Sequence, residues 1–164
     1  MPETYTKSFG FTDTKAATPL EVEVPQVDYV DDWTVETQNG SECVLTNVTS
    51  PVDQPYRTRF SIQRIANVYT GTDIDPVTYG PIKRGWSLLV GSQLTLRITN
   101  STTGEYVDYP VTVNTTVKWP VTSGIDADDI RTALNQNAGM FYDGGTTNAR
   151  LNELLRRAFR PNGI

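Results

Sequence analysis

Residues 86–99 read Trp-Ser-Leu-Leu-Val-Gly-Ser-Gln-Leu-Thr-Leu-Arg-Ile-Thr, and residues 111–119 read Val-Thr-Val-Asn-Thr-Thr-Val-Lys-Trp. In the first stretch the even positions Trp86, Leu88, Val90, Leu94, Leu96 and Ile98 are apolar. The odd positions include Ser87, Gln93, Thr95, Arg97 and Thr99, with Leu89 the one strong exception. In the second, Val111, Val113, Val117 and Trp119 hold the odd positions with Thr115, and Thr112, Asn114, Thr116 and Lys118 hold the even ones. A period of two is the mark of a β-strand with unlike faces. At ~3.3 Å per residue the two strands span roughly 30–45 Å. The turn between them falls at 100–105, around Gly104. A sheet built from such strands is greasy on one side and wet on the other, the habit of antiparallel sheets.

Weaker strand signals precede this pair. Arg57, Arg59, Ser61 and Gln63 alternate with Thr58, Phe60 and Ile62, and Ile65 then takes the wrong parity, as at a β-bulge. Asn39-Gly40 is a turn signal between a strand near Trp33–Glu36 and another over Glu42–Val48. Tyr5–Phe9 and Leu20–Val24 flank a polar connection and predict an N-terminal hairpin, which Pro25 ends. A long loop over 71–83 contains Asp75-Pro76 and Gly80-Pro81.

After residue 120 the pattern turns helical. Ser123 or Asp126 caps a helix predicted over Ala127–Ala138, with Asp128 and Asp129 in its first turn and an apolar stripe of Ile130, Ala133, Leu134 and Ala138. A second helix, starting near Thr147 or Asn148, carries Leu151, Leu154, Leu155 and Ala158 or Phe159. Arg156, Arg157 and Arg160 stand in its expected last turn, before Pro161. Each helix has about three turns, too few to persist alone in water, so each must dock on something. Strands followed by a segregated helical end make an α+β chain. One domain is expected over 1–164, with hairpin and sheet in 1–120 and the helix pair in 125–160.

Bulk composition narrows the function. With 164 residues the chain can bury a core. It has no histidine, which removes the usual general base and the commonest metal ligand. The acid clusters Asp73-Ile74-Asp75 and Asp126–Asp129 lack the partner residues that metal ligation or acid–base work requires, and read as loop and helix-cap chemistry. No catalytic residue, metal site or cofactor is expected. No apolar run reaches the ~18 residues of a membrane span, and the first ten residues lack a signal-peptide core, so cytoplasmic folding is expected. Cys43 is the only cysteine; a buried thiol is the first expectation, and an interchain bridge stays open.

Net charge is −5, unlike a typical nucleic-acid binder. Residues 1–53 hold ten acids and two bases, however, whereas residues 54–120 hold seven bases and four acids. The polar sheet face falls in this mildly basic middle. It can be the plain solvent side of a two-layer protein, or a surface for phosphates and base edges.

A resemblance sharpens the choice. The run from Tyr109-Pro110-Val111 through Lys118-Trp119-Pro120, then Ile125-Asp126-Ala127-Asp128-Asp129-Ile130, Leu151-Asn152-Glu153-Leu154-Leu155 and Pro161-Asn162-Gly163-Ile164, resembles the C-terminal half of coat proteins of single-stranded RNA bacteriophages, the leviviruses. Pro2-Glu3-Thr4-Tyr5-Thr6 and Pro19–Val24 are similar to that family's opening hairpin, and Leu45–Pro51 with Ala66–Tyr69 to stretches of its divergent members. The order of elements carries the resemblance more than any motif.

The resemblance implies an N-terminal hairpin, an antiparallel sheet and two C-terminal helices. Two chains interlock, each laying its helices over the partner's sheet, with Ile130, Leu134, Leu151, Leu154 and Leu155 at the dimer interface. Dimers then build an icosahedral virion shell in the bacterial cytoplasm around single-stranded RNA. The open sheet face binds RNA, including an operator hairpin through which the coat represses translation. Asn114 falls where the family places an RNA-contacting Asn. Thr112 falls where an aromatic can stack on a base, a departure that puts the stacking contact in question. Thr116 and Lys118 continue this face, Thr95 and Arg97 match on the neighbouring strand, and Arg59, Ser61 and Gln63 extend it to a third. Lys118, Arg97 and Arg59 would neutralise phosphates. Splayed single-stranded bases would be the target. Separately from the resemblance, the net −8 of residues 1–53 beside a basic middle suggests that this acidic region lies outside the shell. The competing expectation is another virion module, a tail or adhesin β-domain without RNA binding, against which the helix pair argues.

Overall fold

A computed structural model describes residues 7–9, 24–78, 80, 82–142 and 148–160. The expected N-terminal hairpin lies outside them, apart from Lys7–Phe9 and Val24, which belong to no strand. The chain divides into two compact units, Pro25–Leu134 and the combination of Met1–Val24 with Asn135–Ile164.

The first unit is a five-stranded antiparallel sheet of β1 (Trp33–Gln38), β2 (Glu42–Asn47), β3 (Arg57–Ile65), β4 (Gly85–Thr99) and β5 (Tyr106–Pro120), in sequential order. Each junction is a local turn. The Asn39 side chain accepts from the backbone N–H groups of Ser41 and Glu42 at 2.9 Å each, closing β1 onto β2. Asn100 does the same for Thr102 and Thr103 between β4 and β5, and Gly104 takes the left-handed φ of +75° that the turn requires.

Two sequence expectations change. β3 has no bulge: its register with β4 runs unbroken from Arg57↔Gln93 to Ile65↔Gly85, and Ile65 faces a residue with no side chain. The irregularity lies in β1, between Val35 and Thr37. β5 begins five residues before the alternating stretch at 111, because Pro110 is tolerated on an edge strand.

Register sorts the side chains. Trp86, Leu88, Val90, Leu94, Leu96 and Ile98 share a face with Val107, Tyr109, Val111, Val113, Val117 and Trp119, and with Phe60 and Ile62 of β3. Cys43, a free half-buried thiol opposite Phe60, lies on this side too. Arg64 also points to this side, its guanidinium 5.0 Å from the Trp86 ring centroid. Trp86, Leu88, Val90, Leu94, Val117 and Trp119 are half-buried, and the other end of this face is open. Leu96, Ile98, Val107, Tyr109, Val111 and Val113 are all exposed, and no apolar residue among those described is buried.

Helix α1 (Ala127–Gly139) opens with a reciprocal cap. The Asp126 carboxylate accepts from the N–H groups of Asp128 and Asp129, and the Asp129 carboxylate accepts from the N–H of Asp126. Ile130, Ala133 and Leu134 are half-buried and Ala138 is exposed.

Helix α2 (Ala149–Leu155) is shorter than expected. Arg157 adopts φ +63°, the Ala158 N–H donates to the Glu153 carbonyl and the Arg157 N–H to the Leu154 carbonyl, which together end the helix. The Arg150 guanidinium donates to the Ala158 and Phe159 carbonyls, holding the turned segment in place. Arg156, Arg157 and Arg160 therefore follow the helix and do not form its last turn. Leu151 and Leu154 are half-buried, and Leu155 is 81% exposed.

Candidate nucleic-acid interface

The opposite sheet face collects the polar residues in cross-strand rows. Gln63, Ser87 and Lys118 form one row; Ser61, Leu89 and Thr116 the next; then Arg59, Gly91 and Asn114; then Arg57, Gln93 and Thr112. Strands ~4.8 Å apart and same-face neighbours two residues along a strand make this a continuous platform. Seven of the nine candidate residues meet on these four rows. Thr95 and Arg97 lie on the two rows beyond, opposite Pro110 and Asp108. Thr112, Asn114, Thr116, Lys118, Gln63 and Arg59 are exposed; Ser61, between Glu42 and Leu89 in register, is only 5% exposed.

The electrostatics of this face differ from what the linear charge pattern implies. Arg59 pairs with Glu42 at 2.7 Å. Arg57 pairs with Glu36 at 3.1 Å, and the Thr46 hydroxyl donates to the same carboxylate. Arg97 holds Asp108 through two parallel bonds of 2.7 Å and reaches Asp53 at 2.7 Å, with its guanidinium 3.9 Å from the Tyr106 ring centroid. Those bonds raise the pKa of the Arg97 guanidinium further and hold the Asp108 carboxyl below the ordinary Asp value. Lys118 alone among the face's cations has no carboxylate partner among the described residues.

Three of the ten acids of residues 1–53, Glu36, Glu42 and Asp53, thus meet the arginines of the polar side. This part of the acidic segment does not form a surface apart from the basic one. The carboxylates were missed because the sequence places them 17 to 44 residues from their partners. Asp108 shares the parity of Thr112 and Asn114, so extending the alternation through Pro110 would have found it.

Gly91 is the other residue that the pattern passed over. A Cβ there would stand 2.7 Å from the Asn114 Oδ1, so the Asn114 carboxamide lies across β4 over the bare glycine. That carboxamide makes no hydrogen bond to the described residues.

Among the described residues, no group of His, Cys, Asp or Glu is arranged to hold a metal, and no helix is long and apolar enough to cross a membrane. The Asp75 carboxylate of the first acid cluster is engaged locally, accepting from the Val77 N–H and the Thr78 hydroxyl, which lower its pKa.

No protein-family model and no curated protein matches the chain. Solved structures do. The chain is similar to the virus-like particle of bacteriophage AVE015, with 25% identity over 98% of this chain and 100% of that one, at a TM-score of 0.80. It is also similar to the virus-like particle of bacteriophage GQ-112, with 12% identity over 93% and 96% of the two chains and a TM-score of 0.77, a likeness of fold. The first of these points to a structural protein and away from an enzyme. A sequential five-stranded antiparallel sheet followed by two helices, matched over nearly its whole length by a phage particle subunit, gives this chain the fold of the levivirus-type coat proteins.

Proposed function

We propose that this chain is the capsid protein of a single-stranded RNA bacteriophage: it dimerises, assembles into a closed shell, and turns its polar sheet face toward the RNA. The observation that carries the reading is the uncovered greasy face. Six large apolar residues of β4 and β5 are exposed together on one side of a sheet whose other side is polar. Such a patch marks an interaction surface. The helices α1 and α2 bury none of their described residues and need a partner surface of the same chemistry. A second copy supplies both needs at once if each chain's helices cover the other's sheet, with Ile130, Leu134, Leu151, Leu154 and Leu155 in the contact. The free edge of β5, fifteen residues long, can pair with its own copy across a two-fold axis.

On the polar side the four rows offer hydroxyls, carboxamides and one free ammonium to an RNA strand. Single-stranded loops suit this chemistry, since their unpaired bases present edges that Asn, Gln and Thr can read. A hairpin loop bound here could act as a translational operator.

The test is electron microscopy of the purified recombinant protein, with the ultraviolet spectrum of the same fraction. Uniform round shells with nucleic-acid absorbance are the expected result. A monomer free of RNA under all assembly conditions would overturn the proposal.

A further inference from the structure

Two strand glycines on the polar side look alike in sequence and differ in what they do. A Cβ at Gly85 would run into the Trp119 carbonyl oxygen and the Val68 side chain, so the backbone itself demands glycine there. At Gly91 nothing in the backbone does: its φ lies outside the left-handed region, and the sheet register passes through it unbroken. The only close neighbour of a Cβ there is the far end of one side chain, Asn114. Glycine in a strand interior weakens the strand and often marks a close approach. Here the approach is that of an exposed carboxamide with no hydrogen-bond partner among the described residues, in the row Arg59–Gly91–Asn114.

We propose that Gly91 is a positioning residue, whose missing side chain lets the Asn114 carboxamide lie across β4 and present its N–H₂ and C=O together to the edge of one unpaired RNA base. A planar amide with both ends free pairs with a base edge that offers an adjacent acceptor and donor, as adenine does. A methyl group at residue 91 pushes the Asn114 oxygen off this position. The strand loses nothing, because the displaced atom is a flexible tip. The inference rests on the RNA reading of the polar face, and its test separates the two.

The experiment uses full-length, unassembled protein and fluorescein-labelled eight-nucleotide homopolymers of adenylate, cytidylate and uridylate. Fluorescence anisotropy gives affinity, and urea unfolding runs beside it. Four proteins are compared: wild type, Gly91→Ala, Asn114→Ala and the double variant. Gly91→Ala is expected to weaken binding of its preferred homopolymer by about fivefold or more, the low end for one two-bond base contact. It should also flatten the preference among bases and leave the urea midpoint at or above that of wild type. In the Asn114→Ala background the same glycine change is expected to do nothing further.

Equal weakening in both backgrounds refutes the proposal, since Gly91 would then act through its own surface. So does unchanged binding by Gly91→Ala where wild type binds. A Gly91→Ala chain that fails to fold refutes it as well, because the glycine would serve the strand. If wild type binds none of the homopolymers, the RNA reading itself fails and takes this inference with it.

Discussion

The proposed RNA binding should have a salt dependence set by how the charges on the polar face are paired. Each phosphate neutralised on a single strand contributes a slope of about −0.7 to the plot of log affinity against log salt. Arg57, Arg59, Arg97 and Lys118 are the cations on this face. Were all four to meet phosphates, the slope would be about −2.8, and affinity would fall about 50-fold between 50 and 200 mM salt. The three arginines, however, already hold Glu36, Glu42, Asp108 and Asp53 at 2.7–3.1 Å. An approaching phosphate sees each such pair as nearly neutral and must displace a carboxylate to gain a contact. Among the described residues, Lys118 alone of the four is left without a carboxylate. The expected slope is therefore about −0.7, a loss of about 2.6-fold over the same range. Anisotropy titrations of unassembled protein with labelled single-stranded RNA, at pH 7 and several potassium chloride concentrations, measure it. Lys118→Met should flatten the line almost completely, and Glu42→Gln should free Arg59 and steepen it by about 0.7. A wild-type slope near −3 that survives Lys118→Met would refute the reasoning: the arginines would then be trading carboxylate for phosphate freely.

Other outcomes test separate parts of the structure. Val113→Asp puts a carboxylate in the middle of the uncovered greasy face; it forfeits about 1.5 kcal/mol or more of apolar burial and adds the desolvation of a charge, so dimers should be absent by analytical ultracentrifugation. Arg157→Gly relieves a left-handed non-glycine residue at the end of α2 and should stabilise that turn by about 1 kcal/mol, seen as slower amide exchange in 149–158. Asp108→Asn removes a carboxylate whose pKa is lower folded than unfolded. Its stabilisation is present above the unfolded value near 3.8 and lost as pH falls through the lower folded one, so the variant's urea midpoint should lie below wild type at pH 7 and converge with it as pH falls through that lowered value.

What could be read from the sequence, and what could not, divides along physical lines. The alternation in 86–99 placed the six apolar even positions and Ser87, Gln93, Thr95, Arg97 and Thr99 on their correct faces, because a half-buried strand has only two parities to choose from. The helix cap at Asp126 was legible as one of two options, and the reciprocal bond from Asp129 selects it. The length of α2 was not legible. Leu151, Leu154, Leu155 and Phe159 keep helical spacing past the point where the backbone turns, and the turning residue is an arginine with none of glycine's signal. In β1, Thr-Val-Glu-Thr-Gln has too few apolar residues to reveal the irregularity at Glu36. The members of the candidate RNA face came from the family resemblance, with parity placing them on one side of the sheet. Their charge state depended on pairings such as Glu42 with Arg59 and Asp53 with Arg97, which only the sheet order and the loop before β3 bring together.

The two faces of the sheet therefore stand in opposite conditions before any partner arrives. The greasy face is unfinished: Leu96, Ile98, Val107, Tyr109, Val111 and Val113 are exposed, and on the proposed reading a second copy covers them. The polar face is largely finished, with its arginines satisfied and one lysine and a row of neutral groups left over. Hydrophobic burial falls little with moderate salt, and steering by net charge needs an unpaired field that this face lacks. The proposed protein–protein closure would thus have a driving force independent of RNA, whereas the proposed RNA binding would have little long-range attraction and rely on fit at short range. A face of this kind discriminates by hydrogen-bond edges more than by charge. This makes the orientation of a single uncommitted carboxamide, Asn114 over Gly91, matter more than any arginine count would indicate.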